Sequence, residues 1–166
     1  MSICHERKLI FVHIPKNAGT SIHSLFETQT HDYLPDQRWD RYKEHFGEYW
    51  DSYTTFTIIR NPISRFISFY KYWRMNQLTD YDINTFVDKL DEIETSLKYK
   101  QSWFICDNKR IAVDVLIRYE KLHEELRKLK ISSLPHLNIS EGYPTDLSTE
   151  SIDKLHQIYK EDFKLL

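Results

Sequence analysis

The sequence has few glycines and cysteines and no long apolar run. Only three of its 166 residues are glycine, and it has no low-complexity tract, which argues against a long disordered segment. The two cysteines, Cys4 and Cys106, form neither a metal-ligand pattern nor a disulfide framework, and the alternative to two reduced thiols is a single disulfide between them. No apolar run approaches the roughly 20 residues of a membrane span, and the N-terminus lacks a signal-peptide pattern. We therefore expect a soluble protein in a reduced compartment, the cytoplasm.

The sequence also lacks an excess of charge of one sign. The formal net charge is −2, and lysine and arginine are spread along the chain without a basic stripe. Nucleic-acid binding by bulk electrostatics is therefore disfavoured, and any anion site must come from a few positioned groups. The length predicts a single domain spanning residues 1–166. Nothing in the sequence indicates the oligomeric state.

Three apolar, β-branched segments alternate with helix-forming segments. Strands are predicted at Lys8–Ile14, Tyr53–Arg60 and Val113–Glu120. Helices are predicted at 20–27, 38–45, 61–75, 82–93, 96–105, 120–130 and 148–163. This alternation predicts an α/β fold with three layers, in which helices flank a central parallel sheet as in P-loop proteins. Ligands in such folds bind at the carboxyl ends of the strands.

The first candidate anion site is "HIPKNAGTS", residues 13–21, between the first strand and a helix. A helix N-terminus points backbone N–H groups at a ligand, and Gly19 permits close approach or an unusual backbone angle. Thr20 and Ser21 add hydroxyls, and Lys16 adds a cation. The alternative is a solvated Lys16 with a hydroxyl that only caps the helix. A Walker A loop places its lysine after the glycine, so the order here disfavours an ATP or GTP enzyme.

The second candidate site is "RNPISRFIS", residues 60–68. Arg60 ends the second strand, and Ser68 lies roughly 9 Å along the following helix. Both could reach one phosphate. Alternatively, Arg60 pairs with a carboxylate and Ser68 fills space. Since both stretches follow strands, we expect the two sites to meet at one edge of the sheet.

Together these stretches resemble the sulfotransferases that use PAPS (3′-phosphoadenosine 5′-phosphosulfate), and most closely the carbohydrate type with its bacterial members. "HIPKNAGTS" is similar to the family's 5′-phosphosulfate loop, and "RNPISRFISFY" to its 3′-phosphate motif. "HFGEYWDSYTTFTIIRNP", "VLIRYEKL", "LPHLNIS" and "YKEDFKLL" resemble further landmarks. One departure is Asn17-Ala18, where many members have Thr or Gly.

The resemblance implies in-line transfer of a sulfuryl group from PAPS to an acceptor hydroxyl, with PAP (3′-phosphoadenosine 5′-phosphate) as product and no metal. It implies a role for Lys16 at the leaving group. Arg60 and Ser68 would then bind the 3′-phosphate. The 5′-phosphosulfate would lie among the loop residues Lys16, Asn17, Ala18, Gly19, Thr20 and Ser21. A further donor-side loop would contain His136, Asn138 and Ser140.

The catalytic base and the acceptor are less directly indicated. His45 is the preferred base, because histidine titrates near neutrality and the family often places a base in this region. Glu44 and Glu48 are the alternatives. The resemblance to the carbohydrate type implies a saccharide or glycoconjugate as acceptor. The high aromatic content allows a sugar-stacking surface, with core and lid packing as the alternative role of the aromatic residues. Two other functions stay open: an atypical nucleotide-dependent kinase and a non-catalytic PAP-binding module.

Overall fold

The computed structural model describes residues 2–26, 34, 36–93, 99–135 and 142–166. Its strands are β1 (Ile3–Cys4), β2 (Leu9–Phe11), β3 (Thr54–Ile59), β4 (Cys106–Asp107), β5 (Arg110–Ile111) and β6 (Val115–Arg118). Its α-helices are α1 (Gly19–Phe26), α2 (Trp39–Phe46), α3 (Glu48–Ser52), α4 (Pro62–Met75), α5 (Ile83–Asp88), α6 (Gln101–Ile105), α7 (Leu122–Glu125) and α8 (Thr149–Ile158). Short 3₁₀ turns span Tyr119–Lys121, Leu126–Leu129 and Asp162–Leu165.

The central sheet has the strand order β1-β2-β3-β6. Strands β2, β3 and β6 are parallel, with Phe11 opposite Phe56 and Phe56 opposite Val115. Strand β1 pairs antiparallel with β2 at one edge, and β4 and β5 form a separate antiparallel hairpin. The expected mixed α/β architecture with a mostly parallel sheet is confirmed.

Helices cover both faces of this sheet. Alternate residues of the first parallel strand point to opposite faces: Leu9 and Phe11 pack with α1 and α7, whereas Ile10 packs with α2, α3 and α6. Both faces of the strand are therefore buried, which explains its continuous apolar run. A third apolar cluster joins α4, α5 and α8 beside the sheet.

The strand β2 is shorter than the predicted Lys8–Ile14. The ladder is extended by one hydrogen bond from the Val12 N–H to the Phe56 carbonyl, at 2.9 Å. The next N–H, of His13, donates to the hydroxyl of Tyr42 at 3.1 Å instead. The backbone therefore leaves the sheet at this point and starts the loop that leads into α1.

The helix α4 begins where the sequence predicts. Asn61 caps it, because its side-chain oxygen accepts from the N–H groups of Ile63 and Ser64, and Pro62 occupies the first turn. Some predicted helices differ in length: α5 ends at Asp88, and within the described residues 99–105 of the 96–105 segment the helix spans Gln101–Ile105. The 120–130 segment divides into a 3₁₀ turn, α7 and a second 3₁₀ turn.

Two further observations bear on the environment of the protein. Within the described ranges, no helix combines the length and apolar character needed to cross a bilayer. Cys4 is buried and Cys106 is half-buried, and both are free thiols.

Candidate active site

The loop from Pro15 to Ala18 has an unusual backbone for residues that are not glycine. Lys16 and Ala18 both adopt left-handed conformations, with φ of 69° and 60°. Left-handed residues in a short loop turn successive N–H groups toward one side, and this arrangement favours anions. The eight-residue helix α1 follows directly at Gly19. The expected strand-to-helix turn is therefore present at residues 15–18.

Gly19 is needed for close approach, not for an unusual φ. A Cβ atom at this position would lie 2.0 Å from Nε2 of His13. The imidazole of His13 therefore packs directly against the start of α1. Burial, with positive charge on His23, Arg65 and Lys16 nearby, lowers the pKa of His13 to about 3. His13 is consequently neutral and acts as a packing group.

Arg60 and Lys16 meet at the carboxyl edge of the sheet. The guanidinium of Arg60 donates from Nη1 to the Lys16 carbonyl at 3.1 Å and from Nε to Ser64 Oγ at 2.8 Å. Its carbon Cζ lies 4.1 Å from the centre of the Tyr119 ring. The two candidate anion-binding stretches thus lie side by side, as expected from the topology.

One face of α4 borders both cations. Ser64, Ser68 and Tyr72 are spaced four residues apart and share this face. Arg60 contacts Ser64, and the Lys16 ammonium lies 4.2 Å from the centre of the Tyr72 ring. The half-buried Ser68 therefore lies one helical turn from each of these contacts.

Burial disfavours the charged state of both cations. Burial, and then repulsion by Arg60, lowers the pKa of Lys16 to about 8. Burial also lowers the pKa of Arg60, although Tyr119 and Glu120 oppose this. Among the residues that the structure describes, no carboxylate forms an ion pair with either side chain. A bound anion would relieve both effects.

The remaining loop residues differ in accessibility. Thr20 is exposed and Ser21 is buried. Asn17 is fully buried, and its Nδ2 donates to the Ile58 carbonyl at 2.6 Å and to Gln101 Oε1 at 2.7 Å. The side-chain donors of Asn17 are therefore used inside the protein. Its backbone N–H donates to the Ile14 carbonyl at 3.3 Å, so it would contact a ligand only by sharing or breaking this bond.

His45 lies on the last turn of α2 and is exposed. Its ring meets Phe46 edge-on, with ring centres 4.9 Å apart. Glu44 is exposed and pairs with Arg41 at 2.7 Å, and Glu48 is exposed at the start of α3. His136, Asn138 and Ser140 lie outside the described residues. No group of three or more His, Cys, Asp or Glu in the described part of the chain could hold a metal ion.

Arg65 was not singled out by the sequence motifs, although it lies behind the loop. It is 1% exposed, and its Nε donates to the Pro15 carbonyl at 3.0 Å. Burial lowers its pKa, and the nearby Tyr159, Asp162 and Asp36 oppose this. A charged residue between Ser64 and Phe66, beside the apolar stripe of α4, is the sequence signal that could have identified it.

The family of the chain is shown by its similarity to a known protein family. A model described as "Sulfotransferase family" matches residues 1–166, the whole chain. The chain belongs to the sulfotransferase family. Family membership indicates a transferase that moves sulfuryl groups and fits the P-loop-like fold. No curated protein and no solved structure matches the chain in the other two comparisons.

Proposed function

We propose that this member of the sulfotransferase family transfers a sulfuryl group from PAPS to a hydroxyl of a saccharide or glycoconjugate and releases PAP. The observation that supports this proposal best is the meeting of Lys16 and Arg60 at the carboxyl edge of the sheet, where no carboxylate of the described residues forms an ion pair with either side chain and Glu120 acts on Arg60 only from a longer distance. PAP and PAPS carry anionic groups at both their 3′ and 5′ ends. Two adjacent cationic sites suit such a ligand.

The donor would lie across the loop and α4. The left-handed loop and the start of α1 would surround the 5′-phosphosulfate, with amides or hydroxyls of Asn17, Ala18, Gly19, Thr20 and Ser21. Arg60 would bind the 3′-phosphate together with Ser68, whose position one turn beyond Ser64 supports this.

Sulfuryl transfer resembles phosphoryl transfer, so positioning and electrostatics would supply most of the rate enhancement. The S–O bond to the 5′-phosphate breaks while the acceptor oxygen bonds to sulfur. Lys16 would stabilise the negative charge that develops on the leaving phosphate oxygen. Its mobile side chain now lies on Tyr72 and could leave this ring when the donor binds.

A base must take the proton of the acceptor hydroxyl. His45 remains our candidate, with Glu44 and Glu48 as the alternatives. The exposure of all three side chains is compatible with access by a large acceptor. The free thiols of Cys4 and Cys106 support the proposal of a cytoplasmic location.

The test is transfer from radiolabelled PAPS to fractionated polysaccharide, glycolipid and small-molecule pools. We expect label in a saccharide-containing fraction without added metal. Binding of PAP without transfer to any pool would instead support a non-catalytic module. Turnover of ATP but not PAPS would support the kinase and overturn the proposal.

A further inference from the structure

Gln101, at the start of α6, joins the two candidate anion sites from a third segment of the chain. Its side chain is fully buried. Its Oε1 accepts from the Arg60 N–H at 2.9 Å and from Asn17 Nδ2 at 2.7 Å. Its Nε2 donates to the Arg60 carbonyl at 2.7 Å. One amide thus holds both backbone polar groups of Arg60 and the side chain of the loop residue Asn17.

Asp162 holds this glutamine in place. The buried carboxylate accepts from the Gln101 N–H at 2.7 Å, through Oδ2, and from the Ser102 N–H at 3.0 Å, through Oδ1. Both hydrogen bonds involve a charged acceptor, and such bonds are stronger than neutral ones. The C-terminal 3₁₀ turn therefore fixes the first turn of α6, and with it the position of the Gln101 amide.

The sheet does not fix the spacing of the two sites by itself. The register of β2 against β3 ends at Phe11 and Phe56. The two further bonds there, from the Val12 N–H to the Phe56 carbonyl and from the Thr57 hydroxyl to the Val12 carbonyl, also lie before the loop and before Arg60. Beyond this point, the loop and the strand end are joined by direct contacts from Asn17 to Ile58 and from Arg60 to Lys16. The Gln101 amide contacts both segments at once, so it can set the distance between them.

We propose that Gln101 is a positioning residue that sets the spacing between the 5′ and 3′ anion sites and so favours nucleotides with phosphates at both ends. This inference rests on the proposed function, because it takes PAP as the ligand that occupies both sites. A ligand that engages two sites at once gains affinity only when their separation matches its own. A nucleotide with one phosphate gains nothing from this match.

The test compares the affinities of PAP, AMP and adenosine 3′-phosphate by calorimetry or competitive displacement. In Gln101→Met, which keeps the size of the side chain but removes its hydrogen bonds, PAP should bind at least about tenfold more weakly. AMP and adenosine 3′-phosphate should each weaken by less than about threefold, since each needs only one site.

Thr55→Val is the matched control. It removes a buried hydroxyl that bonds Asp114 at 2.8 Å, at the opposite end of β3. This variant should lose stability and keep the affinities for all three nucleotides. Asn17→Ala is a second variant, which cuts the loop's bonds to Gln101 and to the Ile58 carbonyl and leaves both bonds from Gln101 to Arg60. It should also weaken PAP more than either nucleotide with one phosphate, and it serves the test if Gln101→Met does not fold.

The outcomes separate the inference from the proposed function. A wild-type chain that does not bind PAP overturns the proposed function, and the inference with it. A wild-type chain that binds PAP, with variants that weaken all three nucleotides equally, overturns the inference alone. The selective loss of PAP affinity in Gln101→Met or Asn17→Ala, absent from Thr55→Val, supports it.

Discussion

The polar groups at one end of strand β3 are hydrogen-bonded to each other, whereas those at the other end are two cations. At its start, Asp114 Oδ2 accepts from both the N–H and the hydroxyl of Thr55, each at 2.8 Å, and the Asp114 N–H donates back to that hydroxyl at 2.9 Å. At its other end, the cations Lys16 and Arg60 lie together, and no carboxylate of the described residues forms an ion pair with either side chain.

This difference separates a structural polar contact from a candidate binding site. The Thr55–Asp114 exchange pairs donors with acceptors, so it needs no further partner. The Lys16–Arg60 pair is held by a carbonyl, a hydroxyl and two aromatic rings, and burial disfavours both charges. The second end is therefore the one that gains from a bound anion. The following predictions test this contrast, from the largest effect to the smallest.

Replacing Lys16 should have the largest effect. Lys16→Ala should lower the rate of sulfuryl transfer by about 100-fold or more, because the leaving phosphate oxygen loses its cation. Radiolabelled transfer to the acceptor fraction measures this rate. Lys130→Ala is the matched control, since Lys130 is an exposed lysine that is also left-handed, with φ of 57°. Equal rates for both variants would remove Lys16 from the mechanism.

Gly19→Ala should disturb the packing at the Lys16–Arg60 end of β3. The added methyl group would meet the His13 imidazole, so we expect the free energy of unfolding to fall by about 1–3 kcal/mol. Chemical denaturation measures this loss. The double variant Gly19→Ala/His13→Ala should lose less stability than the sum of the single variants, since the clash is removed.

Gly47→Ala provides the comparison for this rescue. Gly47 has a left-handed φ of 51° and no atom within 4 Å of an added Cβ. The loss of stability in Gly47→Ala therefore comes from backbone strain, which His13→Ala should leave unchanged. If His13→Ala rescues neither glycine variant, the close approach of His13 does not explain why residue 19 is glycine.

The affinity for PAP should depend on pH through Lys16. In the free protein the pKa of Lys16 is about 8, and a bound anion raises it. The complex therefore holds more protons than the free protein above pH 8, so affinity should fall as pH rises past 8, by up to about tenfold per pH unit. The phosphates are already ionised in this range. Calorimetry at several pH values measures the slope, and its persistence in Lys16→Ala would assign it to another group.

The smallest effect is expected at the Thr55–Asp114 end of β3. Thr55→Val should lower the free energy of unfolding by about 0.5–1.5 kcal/mol, because the exposed Asp114 loses the hydrogen bond from the buried Thr55 hydroxyl. PAP affinity should stay unchanged. A loss of PAP affinity in this variant, measured at a temperature where it remains folded, would mean that the two ends of β3 are not independent.

The strands and helices that have a clear local pattern could be predicted from the sequence. The three parallel strands and the capped helix α4 have clear apolar or capping patterns, and the two anion-site motifs lie in the turns that follow β2 and β3. The two-residue strands β1, β4 and β5 were missed, since two residues are too short to show a periodicity.

Residues held by distant partners could not be predicted. Gln101 bonds Arg60 at a sequence separation of 41 and Asp162 at 61, and Arg65 bonds Pro15 at 50. No pattern among neighbouring residues in the sequence indicates such pairs. The burial of Asn17 depends on the same tertiary contacts, so the sequence revealed a departure from the commoner loop but not its internal hydrogen bonds.

The most direct test of the account is the affinity of the wild-type chain for PAP compared with ADP, by calorimetry below pH 8. ADP lacks the 3′-phosphate that Arg60 would bind through a charge-assisted hydrogen bond. We predict that PAP binds at least about tenfold more tightly than ADP, and that Arg60→Ala removes most of this preference. Equal affinities for PAP and ADP in the wild-type chain would contradict the assignment of the Lys16–Arg60 edge as the donor site.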